Sequence, residues 1–164
     1  MTTRLKNLLQ PQGPLWPVAL ARIMIGILWL FSLRWKLPPA FAAPPGLRGL
    51  QDWMQLQVQH PAFDFYAGFV QNVVLPNFAL FAWLIFLAEL LVGLSLLLGF
   101  QVRWGALLGL LLSLNLLVGL LDVPGEWPWS YVMLAMWHGV FMVTGAGLVL
   151  GLDGWRRRRA VPAP

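Results

Sequence analysis

Four apolar runs divide the chain, and short polar or proline-rich stretches separate them. The runs cover residues 15–37, 78–100, 105–121 and 129–150. A helix needs roughly 20 apolar residues to cross the hydrocarbon layer of a bilayer, and each run is close to that length. The joint QVRW between the second and third runs is short enough to connect only antiparallel neighbours. The pattern predicts an all-α fold, an integral membrane antiparallel four-helix bundle that forms a single domain over residues 1–164.

The only long connection, residues 38–77, keeps an amphipathic pattern of its own. Leu47 to Gln59 and Phe63 to Val74 mix apolar residues with glutamines and an asparagine, and His60-Pro61 separates the two stretches. Such segments are typical of short helices that lie in the membrane interface. We therefore predict short amphipathic interfacial helices between spans 1 and 2, within an outer interfacial segment.

Composition supports the membrane class. The chain has 164 residues, of which 59% are hydrophobic and 10% charged, whereas soluble domains carry about 25% charged residues. It contains no cysteine, which excludes disulfides, thiolate metal sites, iron–sulfur clusters and a cysteine nucleophile. A signal peptide is the alternative interpretation of the first run. That run is longer than the 7–15 apolar residues of a signal core, so we predict a retained helix.

The basic residues indicate an orientation. The formal net charge is +5, and four of the eleven basic residues form the tail Arg156, Arg157, Arg158 and Arg159. Basic residues concentrate on the cytoplasmic side of membrane helices. The balance predicts both termini in the cytoplasm, a basic cytoplasmic tail at 156–164, and integration into the cytoplasmic (inner) membrane of a bacterium. Lys36, Arg103 and the tail arginines are predicted to anchor to lipid headgroups; nucleic-acid binding is not expected.

Glu89 is the first candidate for chemistry because it interrupts the second apolar run. A charge at the centre of a membrane helix costs at least about 2.5–3.5 kcal/mol on insertion scales. With a rise of 1.5 Å per residue, Glu89, Asn115 and His138 each lie about 15–20 Å from the inner ends of their runs. Arg22 lies about 10 Å in, with a side chain that reaches deeper.

Two interpretations of these four residues remain open. In the structural one, Arg22 is the counter-ion of Glu89, and Asn115 or His138 adds a hydrogen bond that fixes the helices together. In the functional one, the four residues line a pocket for a quinone head group or a proton-linked site. Aromatic neighbours would then flank the ring, namely Trp83, Phe86 and Trp137.

Other classes of site find little support. A bis-histidine haem needs two histidines at matched depth, and His60 lies in the outer connection while His138 lies inside a run. A metal held by His138 and Glu89 lacks a third ligand. No Ser–His–Asp arrangement, phosphate loop or dinucleotide motif is present. Neither haem nor a metal site is expected, and no covalently bound cofactor.

Several segments, in order, resemble the DoxX family of membrane proteins. They are AELLVGLSLLLGFQVRWGALLG around Glu89, ARIMIGILWLFSLRWKL with Arg22, Gly26 and Lys36, VLPNFALFAWL, and VTGAGLVLGLDGW, which resembles the closing motif of the DoxD-like branch. The resemblance spans roughly residues 18–155. It implies a four-helix membrane protein, and one named member of the family is the small subunit of a thiosulfate:quinone oxidoreductase.

These observations favour a membrane subunit of a quinone-linked redox complex, with electrons supplied by partner subunits. If the chain takes part in catalysis, it does so as an oxidoreductase subunit that depends on those partners. The alternative is a non-catalytic structural or accessory subunit of a larger membrane complex. A small transporter is a third class, but no broken-helix pattern repeats between the halves. The expected partners are membrane lipids and other membrane subunits, or further copies of the chain.

Overall fold

The computed structural model describes residues 14–42 and 45–160, and no β-strand occurs among them. The remaining residues of the predicted domain and tail, including 161–164, lie outside the described residues. The α-helices are α1 Trp16–Ser32, α2 Leu50–Gln59, α3 Asp64–Phe69, α4 Phe78–Leu98, α5 Val102–Leu120, α6 Pro128–Val143 and α7 Leu152–Ala160. A 3₁₀ turn, Leu33–Trp35, extends α1. The predicted all-α class is confirmed.

Within the described residues, three helical segments are long and apolar enough to cross a membrane: Trp16–Trp35, Asp64–Leu98 and Val102–Leu120. The second segment begins much earlier than the predicted residue 78. A π-helical turn, Val70–Val74, and a 3₁₀ turn, Leu75–Asn77, join α3 to α4 without a break. Pro76 does not interrupt the chain because it occupies the first turn of a helical segment, where its missing N–H is tolerated.

The fourth apolar run is helical over a shorter stretch than predicted. Helix α6 has 16 residues and ends at Val143, so it is about 24 Å long and the expected continuation to residue 150 is wrong. Thr144 is extended, with φ −93° and ψ 162°, and turns follow up to Gly151. Leaving the helix frees backbone carbonyls of this segment to accept hydrogen bonds from another helix.

Helix α1 packs on α4, α4 on α5, and α5 on α6. The backbones of α1 and α4 approach closely at Gly26, where a Cβ atom would lie 2.6 Å from the backbone nitrogen of Leu97. A Cβ at Gly93 would lie 2.7 Å from the side chain of Leu30. Rising numbers in α1 therefore meet falling numbers in α4, and the two helices are antiparallel. Small residues allow such close backbone approach between membrane helices.

The connection between α1 and α4 folds onto the bundle instead of extending away from it. Its residues form a second apolar core with the start of α4, comprising Phe41, Leu50, Met54, Val70, Val74 and Ala82. The main core lies between α1, α4, α5 and α6, and it includes Trp29, Val92, Leu96, Ala106 and Phe141. The wall formed by α2 and α3 encloses a cavity together with these helices.

Candidate functional site

A cavity of about 560 Å³ lies between the connection and the helices. This volume falls within the range of small-molecule sites, about 300–1,000 Å³. On α4, the residues that line it are Phe81, Ile85 and Glu89, at intervals of four residues, so this wall is about 12 Å deep. Most of the lining is apolar, and its aromatic members are Trp29, Trp35, Trp53, Tyr66, Phe69, Phe81 and Tyr131.

One end of the cavity carries a buried ion pair. The ammonium of Lys36 binds the carboxylate of Glu89, and the two residues are only 3% and 2% exposed. The hydroxyl of Ser32 donates a hydrogen bond of 2.9 Å to the second carboxylate oxygen of Glu89. The Lys36 ammonium also lies 4.2 Å from the centre of the Trp35 ring, a favourable cation–π distance. Lys36, Ser32 and Glu89 all face the cavity.

The helix register explains why Lys36, and not Arg22, is the partner of Glu89. Gly26 meets Leu97 and Leu30 meets Gly93. The same antiparallel register places Glu89, one turn before Gly93, opposite the end of α1. Arg22 lies 14 residues before Lys36 and hence about 20 Å away along the helix. The prediction that Arg22 is the counter-ion of Glu89 is wrong, and Lys36 is buried in the protein instead of anchored to headgroups.

Arg22 instead holds the opposite end of the bundle together. Its Nε donates to the carbonyl of Ala146 at 3.1 Å and its Nη2 to that of Leu150 at 2.8 Å. Its Nη1 donates to the carbonyl oxygens of Leu96 and Leu97 at the end of α4. The guanidinium is fully buried and does not line the cavity. It therefore joins α1 to α4 and to the turns after α6, which is a structural role.

His138 is fully buried behind the cavity wall. The indole N–H of Trp29 donates to its Nε2 at 3.1 Å, and its Nδ1 lies 2.7 Å from the carbonyl of Leu134. This arrangement requires a neutral ring with the proton on Nδ1, since Nε2 must accept. Both ring nitrogens are occupied, so His138 orients Trp29 and has no free position for a ligand.

Asn115 does line the cavity, together with two residues that the sequence did not single out. The Tyr66 hydroxyl lies 3.2 Å from Asn115 Oδ1 and 3.5 Å from Gln57 Oε1. Gln57 is 8% exposed. An amphipathic helix at an interface shows the same glutamine pattern, so the sequence could not distinguish Gln57 from its exposed neighbours. Only its burial against α5 does so.

The predicted ring-flanking aromatics lie outside this cavity. Trp83 packs edge-on against Phe41 and Phe86, at 5.4 and 6.0 Å between ring centres. Trp137 stacks on Phe141 at 5.8 Å. None of the three predicted residues lines the cavity.

The remaining basic candidates are on the surface. Arg103 is exposed near the start of α5, and Arg156, Arg157, Arg158 and Arg159 are exposed on α7. Their contact with lipid headgroups stays a prediction. Among the described residues, no group of three or more histidine, aspartate or glutamate side chains could hold a metal ion.

No curated protein and no solved structure matches the chain. A family model described as DoxX matches residues 17–122, more than half of the chain. The match covers α1 from its second residue and all of α2 to α5, and therefore Ser32, Lys36 and Glu89. The segment that resembles the DoxD-like closing motif, residues 143–155, lies beyond it. With three helices that can cross a bilayer among its described residues, the chain is an integral membrane protein and belongs to the DoxX family.

Proposed function

We propose that this protein is the membrane subunit of a quinone-linked redox complex and that its cavity holds a quinone head group. The observation that carries the proposal is the Lys36–Glu89 pair at the wall of a mainly apolar, aromatic cavity. Ligand sites commonly combine an apolar lining with a few fixed polar groups that orient the ligand. A quinone ring matches that combination, because its faces are apolar and its oxygens accept hydrogen bonds.

Each group has a distinct part in this proposal. Trp29 and Trp35 offer aromatic faces to the ring, and the Lys36 ammonium offers a hydrogen-bond donor to a carbonyl oxygen. Ser32 donates its only hydroxyl proton to Glu89 and so helps to hold that carboxylate in place. Glu89 fixes the position of Lys36. Reduction of a quinone to a quinol adds two electrons and two protons, and negative charge develops on the oxygens. A preorganised ammonium in a water-poor site stabilises such charge. Partner subunits supply the electrons, and water outside the hydrocarbon layer supplies the two protons.

The proposal includes an arrangement in the membrane. The fold is taken as an antiparallel four-helix bundle in which α6 provides the fourth crossing, and α2 and α3 lie at the outer interface. Both termini lie in the cytoplasm, and the protein resides in the inner membrane of a bacterium. The exposed positive charge of Arg103 and of the arginines on α7 supports this orientation, because cytoplasmic flanks are rich in basic residues.

A non-catalytic accessory subunit is the competing function. In that case the buried polar groups would serve only as contacts between helices. Arg22 and His138 fit that description, since their polar atoms bind backbone carbonyls or a neighbouring side chain. Lys36 and Glu89 support the quinone proposal instead, because they line a cavity large enough for a ligand.

The test fills the cavity without touching its polar groups. Ile85→Trp enlarges a lining residue, while Leu84→Trp makes the same change at a neighbouring position that is 53% exposed and does not line the cavity. We expect Ile85→Trp to weaken equilibrium binding of a short-tailed benzoquinone at least tenfold, and Leu84→Trp less than twofold. Circular dichroism confirms equal helix content. Equal affinities in the two variants, or no binding to the wild-type protein, would contradict the proposal and favour the accessory role.

A further inference from the structure

The cavity contains a second polar group, formed by Gln57 on α2, Tyr66 on α3 and Asn115 on α5. We call these three residues the amide–phenol cluster. It is separate from the Lys36–Glu89 pair, since no hydrogen bond joins the two groups among the described residues. Tyr131, which donates to Glu126, also lines the cavity. A cavity with several separate polar groups is suited to a ligand that carries polar atoms at more than one position.

The hydrogen-bond pattern of the cluster leaves donors available. A tyrosine hydroxyl has one proton, and the oxygen atoms of both amides face that of Tyr66, at 3.2 Å for Asn115 and 3.5 Å for Gln57. The amide NH₂ groups of Gln57 and Asn115 donate to no residue in the part of the chain that the structure describes. Each amide nitrogen carries two protons, so the cluster offers donors to a ligand oxygen.

The backbone of α5 is adapted to this cluster. At Gly119, a Cβ atom would lie 3.0 Å from Gln57 Cδ and 3.0 Å from the Tyr66 hydroxyl oxygen. The absence of a side chain there lets both polar side chains approach α5 and Asn115 from the connection. Gln57 and Tyr66 are therefore packed closely against α5, on the helix that carries Asn115.

The position of the cluster along α5 indicates how far apart the polar atoms of the ligand should lie. Only residues 99–101 separate α4 from α5, so Glu89 is level with about residue 112 of the opposite helix. Leu112 lines the cavity, and Asn115 lies three residues further from the turn, about 5 Å along the axis. This offset is comparable to the width of a six-membered ring. Along the helix axis, the two polar groups are therefore separated by no more than one ligand ring can span.

We propose that the amide–phenol cluster selects quinones that carry oxygen substituents on the ring, so that the cavity prefers alkoxy-substituted benzoquinones over naphthoquinones. The inference rests on the proposed function and specifies its substrate class. A naphthoquinone presents a fused hydrocarbon ring where the benzoquinone presents ether oxygens. The amide donors of the cluster would then have no partner on the ligand, and Gln57 is itself only 8% exposed. Sites built to hydrogen-bond a substrate reject analogues that lack the bonding atom far more strongly than apolar pockets do.

The experiment compares equilibrium binding of a dimethoxybenzoquinone and a naphthoquinone with the same short tail to the full chain in nanodiscs. We expect the wild-type protein to prefer the benzoquinone at least tenfold. The near-isosteric double variant Gln57→Met, Asn115→Leu removes both amides and should reduce the preference below threefold, mainly by weakening benzoquinone binding. Gln55→Met changes an exposed glutamine on the same helix and should keep the wild-type preference.

A second variant protects the test against misfolding of the first. Tyr66→Phe removes the hydroxyl that lies against both amides, keeps the ring, and should reduce the preference at least threefold. Equal wild-type affinity for the two quinones overturns the inference while leaving the proposed function intact, and so does a preference that survives in both variants. Absence of binding of either quinone to the wild-type protein overturns the proposed function and the inference with it.

Discussion

At the scale of single residues, Lys36 and Glu89 show how far charge alone can guide interpretation. Glu89 could be recognised as a candidate site residue, because a carboxylate within an apolar run usually has a counter-ion or a functional role. Its partner could not be recognised, since a lysine near a helix end also snorkels to the water boundary. The choice between Arg22 and Lys36 depends on the register of α1 against α4, and two glycine contacts set that register.

The contributions of Lys36 and Glu89 to the unfolding free energy should be coupled. Glu89→Gln leaves the Lys36 charge buried without a counter-ion, and Lys36→Met does the converse to Glu89. Removing one partner of a buried pair costs about 3–5 kcal/mol of unfolding free energy. We expect each single variant to lose roughly that amount and the double variant to recover about 2–3 kcal/mol relative to the sum. Reversible unfolding in mixed micelles measures all four proteins. Additive effects would show that the two charges are not coupled.

At the scale of elements, helix existence was easier to predict than helix ends. The apolar runs located α1, α4, α5 and α6, whereas the end of α6 at Val143 was missed. Thr144, Gly145 and Gly147 follow directly after the helix end, and glycine disfavours a helix. The partner of this segment lies on α1, where Arg22 binds the carbonyls of Ala146 and Leu150, a long-range contact that the sequence does not reveal.

Asp153, at the start of α7, stabilises the start of α5. Its carboxylate accepts hydrogen bonds from the backbone N–H of Gln101 at 2.9 Å and of Val102 at 3.1 Å, and so caps the start of α5 from a distant part of the chain. Loss of an N-terminal cap costs about 0.5–2 kcal/mol. Asp153→Ala should lower the unfolding free energy by about 1–2 kcal/mol, as measured by the same micelle titration.

A matched control separates the cap from a simple loss of negative charge. Asp122→Ala removes an exposed carboxylate from the loop after α5 and should change the unfolding free energy by less than about 0.5 kcal/mol. If the two alanine variants were equally stable, the carboxylate of Asp153 would not contribute as a cap.

At the scale of the whole molecule, the cavity draws its walls from α1 to α6 and from the loop before α6. The sequence predicted the membrane class, the apolar helices and two of the polar lining residues, Glu89 and Asn115. It could not predict the cavity, because the cavity arises where the connection folds back over α4 and α5. That packing depends on contacts such as Tyr66 against Gly119, between residues far apart in the chain.

The proposed orientation can be tested on intact cells. The chain has no cysteine, so single cysteines can be introduced at Pro124, in the exposed loop before α6, and at Arg158, on exposed α7. With both termini in the cytoplasm, a membrane-impermeant maleimide should label Pro124→Cys in intact cells and Arg158→Cys only after permeabilisation. The reverse pattern would invert the proposed topology, and labelling of both positions from outside would place them on the same side.

The contact between Lys36 and Glu89 also constrains the order in which the protein is assembled. The two residues are 53 positions apart, so α1 is synthesised well before its acidic partner exists. An unpaired charge in the hydrocarbon costs about 2.5–3.5 kcal/mol on insertion scales. Because Lys36 follows the last turn of the first helical segment, it can remain in water at the membrane surface until α4 arrives. We expect Lys36 to become buried only when it pairs with Glu89, so that this end of the cavity is completed after α4 is inserted.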